Sequence, residues 1–182
     1  MKIALASIDQ DILLKIKSAM NSDVPIKHRI NKCSFTNKDS SISIFSISSQ
    51  YLVQSIRNLG FDSNKTISCT FPNIPKELYI HFIRGFFDGD GSMSKYITEN
   101  SIKFSISMCG TESFLLFIKN YLESNYDFKF NTKLYKRFDT ENCCYSLKMS
   151  GKNNCIRFLS LLYDQSSIFL DRKYNKYLSF SK

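Results

Sequence analysis

Tryptophan is missing from this sequence, and proline (3), glycine (6) and histidine (2) are scarce. So little proline and glycine, in a chain that is 43% hydrophobic, excludes collagen-like and low-complexity disordered classes. Six cysteines occur, Cys33, Cys69, Cys109, Cys143, Cys144 and Cys155, without a C-x-x-C pair. With only His28 and His81 to help, they do not make a zinc site. They read as the reduced thiols of a cytoplasmic, nucleoid-associated or organellar protein. The opening MKIALASIDQD is interrupted by Asp9 and Asp11 too early for a signal peptide, so secretion is not expected. No apolar run reaches the length of a membrane span. Acid is the last shortage: 16 Asp and Glu stand against 25 Lys and Arg, for a net charge of +9 and a pI near 9.2. That balance favours a polyanionic partner, nucleic acid first and an anionic membrane surface second.

What is present is strongly patterned. In residues 102–108, Ile102, Phe104, Ile106 and Met108 alternate with Lys103, Ser105 and Ser107, which predicts a half-buried strand. Thr111 suits the N-cap of a helix carrying Phe114, Leu115, Ile118 and Leu122 on one face. Residues 126–137 read as another strand and 143–149 as a further extended element. Residues 151–163 read as a second helix, with Ile156, Leu159, Leu162 and Tyr163 at helical spacing. The beginning of the chain reads as an earlier copy of this pattern. Leu13, Leu14, Ile16 and Lys17 recur 102 residues later as Leu115, Leu116, Ile118 and Lys119. Phe45 and Ile47 likewise fall on Leu147 and Met149. The expected organisation is a first lobe over 1–70, a linker over 71–75 (FPNIP) and a second lobe over 76–182. The second lobe opens with a helix started by Pro75.

Two polar strand faces match across the copies. Lys129, Asn131, Lys133, Tyr135 and Arg137 share one face; Lys27, Arg29 and Asn31 share the other. Such faces suit the backbone and groove of double-stranded DNA, because Arg and Lys reach phosphate or guanine and Asn reaches adenine. An ordinary solvated sheet face is the competing reading.

The densest stretch is the helix after Pro75, an apolar run with Phe82, Ile83, Phe86 and Phe87 that ends in Asp88-Gly89-Asp90-Gly91. Left exposed, so apolar a helix needs a partner. Gly85 and Gly89 lie four apart on one helical face, where small residues let a second backbone approach closely. Carboxylates at such a helix end suit a hard divalent cation, Mg²⁺ or Mn²⁺. A solvated turn is one alternative. A calcium loop is another: counting from Asp88 puts Glu99 at position 12, but Met93 stands at position 6, where glycine is required, and Lys95 at position 8.

The run Ile83-Arg84-Gly85-Phe86-Phe87-Asp88-Gly89-Asp90-Gly91 resembles the LAGLIDADG, or dodecapeptide, motif of homing endonucleases. The resemblance implies an α+β fold of duplicated αββαββα lobes with saddle-like antiparallel sheets. It implies divalent-metal-dependent double-strand cleavage at a long recognition site, in a mobile genetic element. Asp90 would be the metal ligand, helped by the backbone carbonyl near Gly89. Gly85, Asp88 and Gly91 would serve helix packing, with Asp88 a structural residue at the helix end. A basic residue near the scissile phosphate is implied too; Lys103 and Lys148 are the candidates, and spacing does not choose between them. The repeat places the first lobe's acidic helix before Met1, so that lobe is expected to lack its leading helix. The second acid would then come from a homodimer or from a separately encoded upstream segment. The alternative function is a nucleic-acid binder without cleavage on the same scaffold, maturase-like, regulatory or a decayed remnant.

Overall fold

The computed structural model describes residues 1–31, 39–61, 70–98, 101–131, 134–136 and 144–180. Two antiparallel sheets organise it. The first comprises β1 (Lys2–Ala6), β2 (Lys27–Asn31) and β3 (Ser40–Ser46) in the order β1-β3-β2. Helix α1 (Gln10–Ala19) follows β1, and α2 (Gln50–Asn58) follows β3. The Ser49 hydroxyl caps α2, accepting from the Leu52 N–H at 3.2 Å. In the second part α3 (Tyr79–Asp90) leads into β4 (Ser92–Thr98) and β5 (Ser101–Gly110). Then come α4 (Glu112–Tyr126), β6 (Tyr135–Lys136), β7 (Tyr145–Ser150), α5 (Lys152–Tyr163) and α6 (Asp171–Leu178). The sheet order there is β4-β5-β7-β6. Among the described residues no helix is long and apolar enough to cross a membrane.

The alternation of β5 is realised from Phe104 onward, while Ile102, expected on the same buried face, is 52% exposed. Phe104, Ile106 and Met108 are buried, and α4 covers them with Phe114, Leu115, Ile118 and Leu122. The Thr111 hydroxyl accepts from the Phe114 N–H at 3.4 Å and starts α4. Each fully buried Leu, Ile or Phe here contributes about 1.5–3 kcal/mol. The apolar motif helix finds its partner within its own lobe. Ile83 and Phe87 are fully buried, Phe82 and Phe86 half-buried. Phe86 packs on Phe114 with ring centroids 4.6 Å apart, and Phe87 packs edge-on to Phe158 at 5.6 Å. The expectation that these four aromatic and aliphatic side chains await an outside partner is therefore corrected. Only the glycine side of α3 stays open.

Two further expectations change. Among the described residues of the strand read over 126–137, only Tyr135–Lys136 form a ladder strand. Helix α4 runs through Tyr126 and stops at Asp127, which adopts the left-handed conformation at φ 52°. Beyond it, side chains satisfy the backbone in place of a neighbouring strand. Asn154 donates to the Lys129 carbonyl at 2.6 Å, and Glu123 accepts from the Phe130 N–H at 3.3 Å. The Asn131 N–H reaches the Lys148 carbonyl, at 2.8 Å. The second change is one of register. Ile3 pairs with Phe45 in the first sheet. Matching KIALAS (2–7) to KFSISM (103–108), an offset of 101, carries Ile3 onto Phe104, and the offset of 102 carries Phe45 onto Leu147, whereas Leu147 faces Met108, four residues further along β5. An even displacement keeps every side chain on its original face, so alternation alone does not reveal it.

The last helix fastens the two parts together. Lys15 of α1 pairs with Asp171, donates to the Phe169 carbonyl at 3.2 Å and lies over the Phe169 ring at 4.2 Å. Arg172 meets Asp9 at 3.2 Å.

Candidate active site and nucleic-acid interface

The acidic end of α3 separates its two carboxylates. Asp88, in the last turn of the helix, is 6% exposed. Its Oδ1 accepts the Tyr163 hydroxyl at 2.6 Å and its Oδ2 the Leu170 N–H at 3.0 Å. Burial pushes its pKa above the ordinary carboxylate value, against the pull of these bonds and of Lys173 and Arg84. Burial and the neighbouring Asp88 charge push the Tyr163 phenol up as well. Asp90, two residues beyond, is the last residue of α3 and is exposed. The bend that frees it depends on Gly91. A Cβ there would lie 2.1 Å from Phe87 Cδ2 and 2.5 Å from the Phe87 carbonyl oxygen. Gly91 has an ordinary φ of −75°, so space and not dihedral freedom requires glycine. At Gly85 and Gly89 an added Cβ would meet nothing within 4 Å.

Lys173 on α6 completes this end, without a motif in the sequence to mark it. It is 7% exposed, and its Nζ donates to the carbonyl oxygens of Phe87 and Gly91. These carbonyls bracket Gly89 and Asp90, and a cation there complements the negative end of the helix dipole. Burial lowers its pKa to about 8, with Asp88 opposing the shift, Arg172 adding to it, and Asp90 and Asp9 opposing it. The available signal was the spacing of Leu170, Lys173 and Tyr177: a lysine on the apolar stripe of a short amphipathic helix. Arg84 is the other buried cation, donating to the carbonyls of Ile168 (2.9 Å) and Leu162 (3.3 Å) and meeting His81 Nδ1 at 3.0 Å. These bonds hold the segment before α6 against α3.

The lysines proposed from sequence lie on the polar face of the second sheet, away from the helix end to different degrees. Lys148 pairs with Ser107, and Ser107 with Ser92 at the start of β4. Two strand spacings put Lys148 roughly 10 Å from Ser92. Lys103 pairs with Tyr96 further out on the hairpin, four residues or roughly 13 Å along it.

In the first sheet, Lys27 and Arg29 lie across from Ile44 and Ile42, and Asn31 across from Ser40. Lys27 and Arg29 share one face, with Lys2 and Ala4 of β1 on the same side, and Lys2, Lys27 and Arg29 are exposed. In the second part, Lys129 is exposed and Asn131 half-exposed, on the segment that precedes β6. Tyr135 begins β6, paired with Ser146. Lys133 and Arg137 lie outside the described residues. Among the described residues no group of three or more His, Cys, Asp or Glu gathers in a metal-holding cluster. Asp90 is the exposed hard oxygen donor at the helix end, and it fits a cation completed by water and phosphate oxygens.

Residues 77–163 match the family model of the LAGLIDADG-like domain. No curated protein sequence matches the chain. Among solved structures, the LAGLIDADG homing endonuclease I-GzeII in complex with its DNA target is similar at 13% identity and a TM-score of 0.56, over 99% of this chain and 77% of that one. The LAGLIDADG meganuclease I-AabMI bound to uncleaved DNA is similar at 16% identity and a TM-score of 0.52, over 99% and 78%. The N-terminal LAGLIDADG domain of DUF199/WhiA is similar at 15% identity and a TM-score of 0.52, over 97% and 76%.

Proposed function

We propose that this protein, whose residues 77–163 match the LAGLIDADG-like domain and whose fold is similar to that of LAGLIDADG homing endonucleases, is a divalent-metal-dependent endonuclease acting at a long site on double-stranded DNA. The observation that carries the reading is the division of labour at the end of α3. Asp88 is buried and fully bonded, whereas Asp90 projects, exposed, from the same helix end. A carboxylate needed only for packing would resemble Asp88. Asp90, with the carbonyl near Gly89, would hold Mg²⁺ or Mn²⁺. Such an ion, when bound, supplies charge to a phosphodiester oxygen and acidity to a coordinated water.

The chain's own residues prepare that position. Lys173 ties down the carbonyls on either side of Gly89 and Asp90, which holds the backbone that carries Asp90. Its charge, close to the acid, also offsets the charge of an approaching phosphate. Lys173 is therefore the basic residue best placed beside Asp90, with Lys148 next and Lys103 third. Lys27, Arg29 and Lys129 contribute charge along the backbone of the duplex, and Asn31 and Asn131 contribute polar groups suited to base edges. Lys133, Tyr135 and Arg137 extend the same assignment by sequence pattern. In this reading the two sheets are the halves of a duplicated unit from a mobile genetic element, with lobes over 1–70 and 76–182.

One observation favours a second reading, a nucleic-acid binder without cleavage: the described residues bring only a single exposed acid to the helix end. A nicking assay on a library of duplex targets with Mg²⁺ or Mn²⁺ separates the two. Cleavage that disappears in Asp90→Asn, with binding retained, supports the endonuclease. Tight, salt-sensitive binding with no nick under either metal supports the binder.

A further inference from the structure

The consecutive residues Phe169 to Lys173 divide their contacts between the two parts of the molecule. The Phe169 carbonyl accepts from Lys15 of the first part at 3.2 Å, and the Lys15 ammonium lies 4.2 Å over the Phe169 ring. Leu170 turns to α3 and donates its N–H to Asp88 Oδ2 at 3.0 Å. Asp171 pairs with Lys15, and Arg172 reaches both carboxylate oxygens of Asp9, at 3.2 and 3.3 Å. Lys173 returns to α3 and donates to the carbonyls of Phe87 and Gly91. The stretch moves as one piece, because it contains the first turn of α6: the N–H groups of Lys173 and Tyr174 both donate to the Leu170 carbonyl, at 2.9 and 3.0 Å. On the first part the chain of contacts continues. Lys15 lies on α1 and Asp9 just before it. Helix α1 packs against β3, with Leu13 of the helix and Phe45 of the strand fully buried. The opposite face of that sheet carries Lys2, Lys27 and Arg29.

Ion pairs with partners as exposed as Asp171 and Arg172 add little to stability. Their arrangement therefore bears on position more than on holding the fold. We infer that residues 169–173 couple the first sheet to the acidic end of α3, and that Lys15 and Asp9 are positioning residues for that end. With both pairs made, Leu170 and Lys173 are held where they bond Asp88 and the two carbonyls around Asp90. With either pair lost, the first turn of α6 loses its fixed point on the first part, and the end of α3 loosens. A load on the basic face of the first sheet is thereby transmitted to the backbone of Asp90. The consequence for cleavage rests on the function proposed above: the acid is in place when the first sheet engages the duplex. Lys15 and Asp9 act through α6 and not on the reacting atoms.

Backbone hydrogen exchange in the metal-free chain reads the coupling without any cleavage. The reporters are the Gly91 N–H, which donates to the Phe87 carbonyl at 2.9 Å, and the Leu170 N–H on Asp88. Lys15→Glu and Asp171→Lys should each speed exchange at both reporters by at least about fivefold, the low end of ordinary coupling between sites. The amides of β5, a strand paired on both sides, should keep their protection, which separates lost coupling from lost folding. The double variant Lys15→Glu/Asp171→Lys restores an ion pair of opposite polarity and should bring both reporters back toward the parent rate. Asp171→Asn removes one charge with less disturbance, should move both reporters in the same direction, and decides the matter if a reversal unfolds the first sheet. A short duplex bound at low salt should slow both reporters in the parent, and far less in Lys15→Glu. Reporters unmoved in every single variant while β5 stays protected, or a double variant no slower than the single ones, overturn the inference. Nicking is scored separately: a chain that shows the coupling and never nicks keeps this inference and loses the proposed activity.

Discussion

Three glycines of one short motif should respond in opposite ways to the same added methyl group. At Gly91 the new Cβ would sit 2.1 and 2.6 Å from two ring carbons of Phe87 and 2.5 Å from its carbonyl oxygen. Phe87 cannot swing aside, because its ring is fully buried and packs on Phe158. Its carbonyl is held by the Gly91 N–H at 2.9 Å and by Lys173. Overpacking of a core costs about 1–3 kcal/mol, and the entropy removed from the unfolded chain returns about 0.4–1 kcal/mol. Gly91→Ala should therefore be destabilised by about 1–2 kcal/mol. At Gly85 and Gly89, both inside α3 with open space around them, alanine should stabilise by about 0.5–1 kcal/mol through helix propensity. Urea denaturation measures all three, followed by far-UV circular dichroism because the chain has no tryptophan. A Gly91→Ala midpoint equal to the parent's would refute the steric argument. Destabilisation by Gly85→Ala would mean that the glycine face is already occupied.

Three further outcomes are expected. Asp88→Ala strands the Tyr163 hydroxyl and the Leu170 N–H, at about 1–3 kcal/mol each; relief of a buried charge offsets part of this, for a net loss of about 2 kcal/mol, while Asp90→Asn stays within about 0.5 kcal/mol of the parent in the same assay. Lys173, with its folded pKa lowered to about 8 from the usual 10.4 or so, binds fewer protons folded than unfolded between those values; metal-free stability should therefore rise with pH across that window, by at most about 1.4 kcal/mol per pH unit, and a rise equally present in Lys173→Met would assign it elsewhere. Binding to duplex DNA should weaken steeply with salt, and Arg29→Ala should lower the log–log slope by about one; a slope unchanged in titrations at several salt concentrations would remove Arg29 from the interface.

The legible parts of this molecule were the ones decided locally. The alternation from Ile102 to Met108, the Thr111 cap and the stripe of Phe114, Leu115, Ile118 and Leu122 each specify an element within a few residues, and each is found. The acidic helix end was legible for the same reason. What escaped depends on partners far away in the chain. The partners that bury Asp88 at the helix end, Tyr163 and Leu170, lie more than seventy residues on and leave no mark near it in the sequence. Lys173 has no local signature beyond its place on an amphipathic helix, and its role comes from reaching back to Phe87 and Gly91. The segment from Lys129 to Asn131 alternates like a strand, yet Asn154 and Glu123 take its hydrogen bonds. The four-residue displacement in strand pairing is invisible to a pattern of period two.

The central claim is that Asp90 holds a divalent cation at the end of α3. Iron-directed backbone scission tests it without knowledge of the DNA target: Fe²⁺ replaces Mg²⁺, ascorbate and peroxide generate radicals at the bound ion, and the fragments are mapped by mass. The account predicts scission around residues 89–91, suppressed by excess Mg²⁺ and absent in Asp90→Asn. Scission elsewhere, or scission around 89–91 that persists in Asp90→Asn, would contradict it.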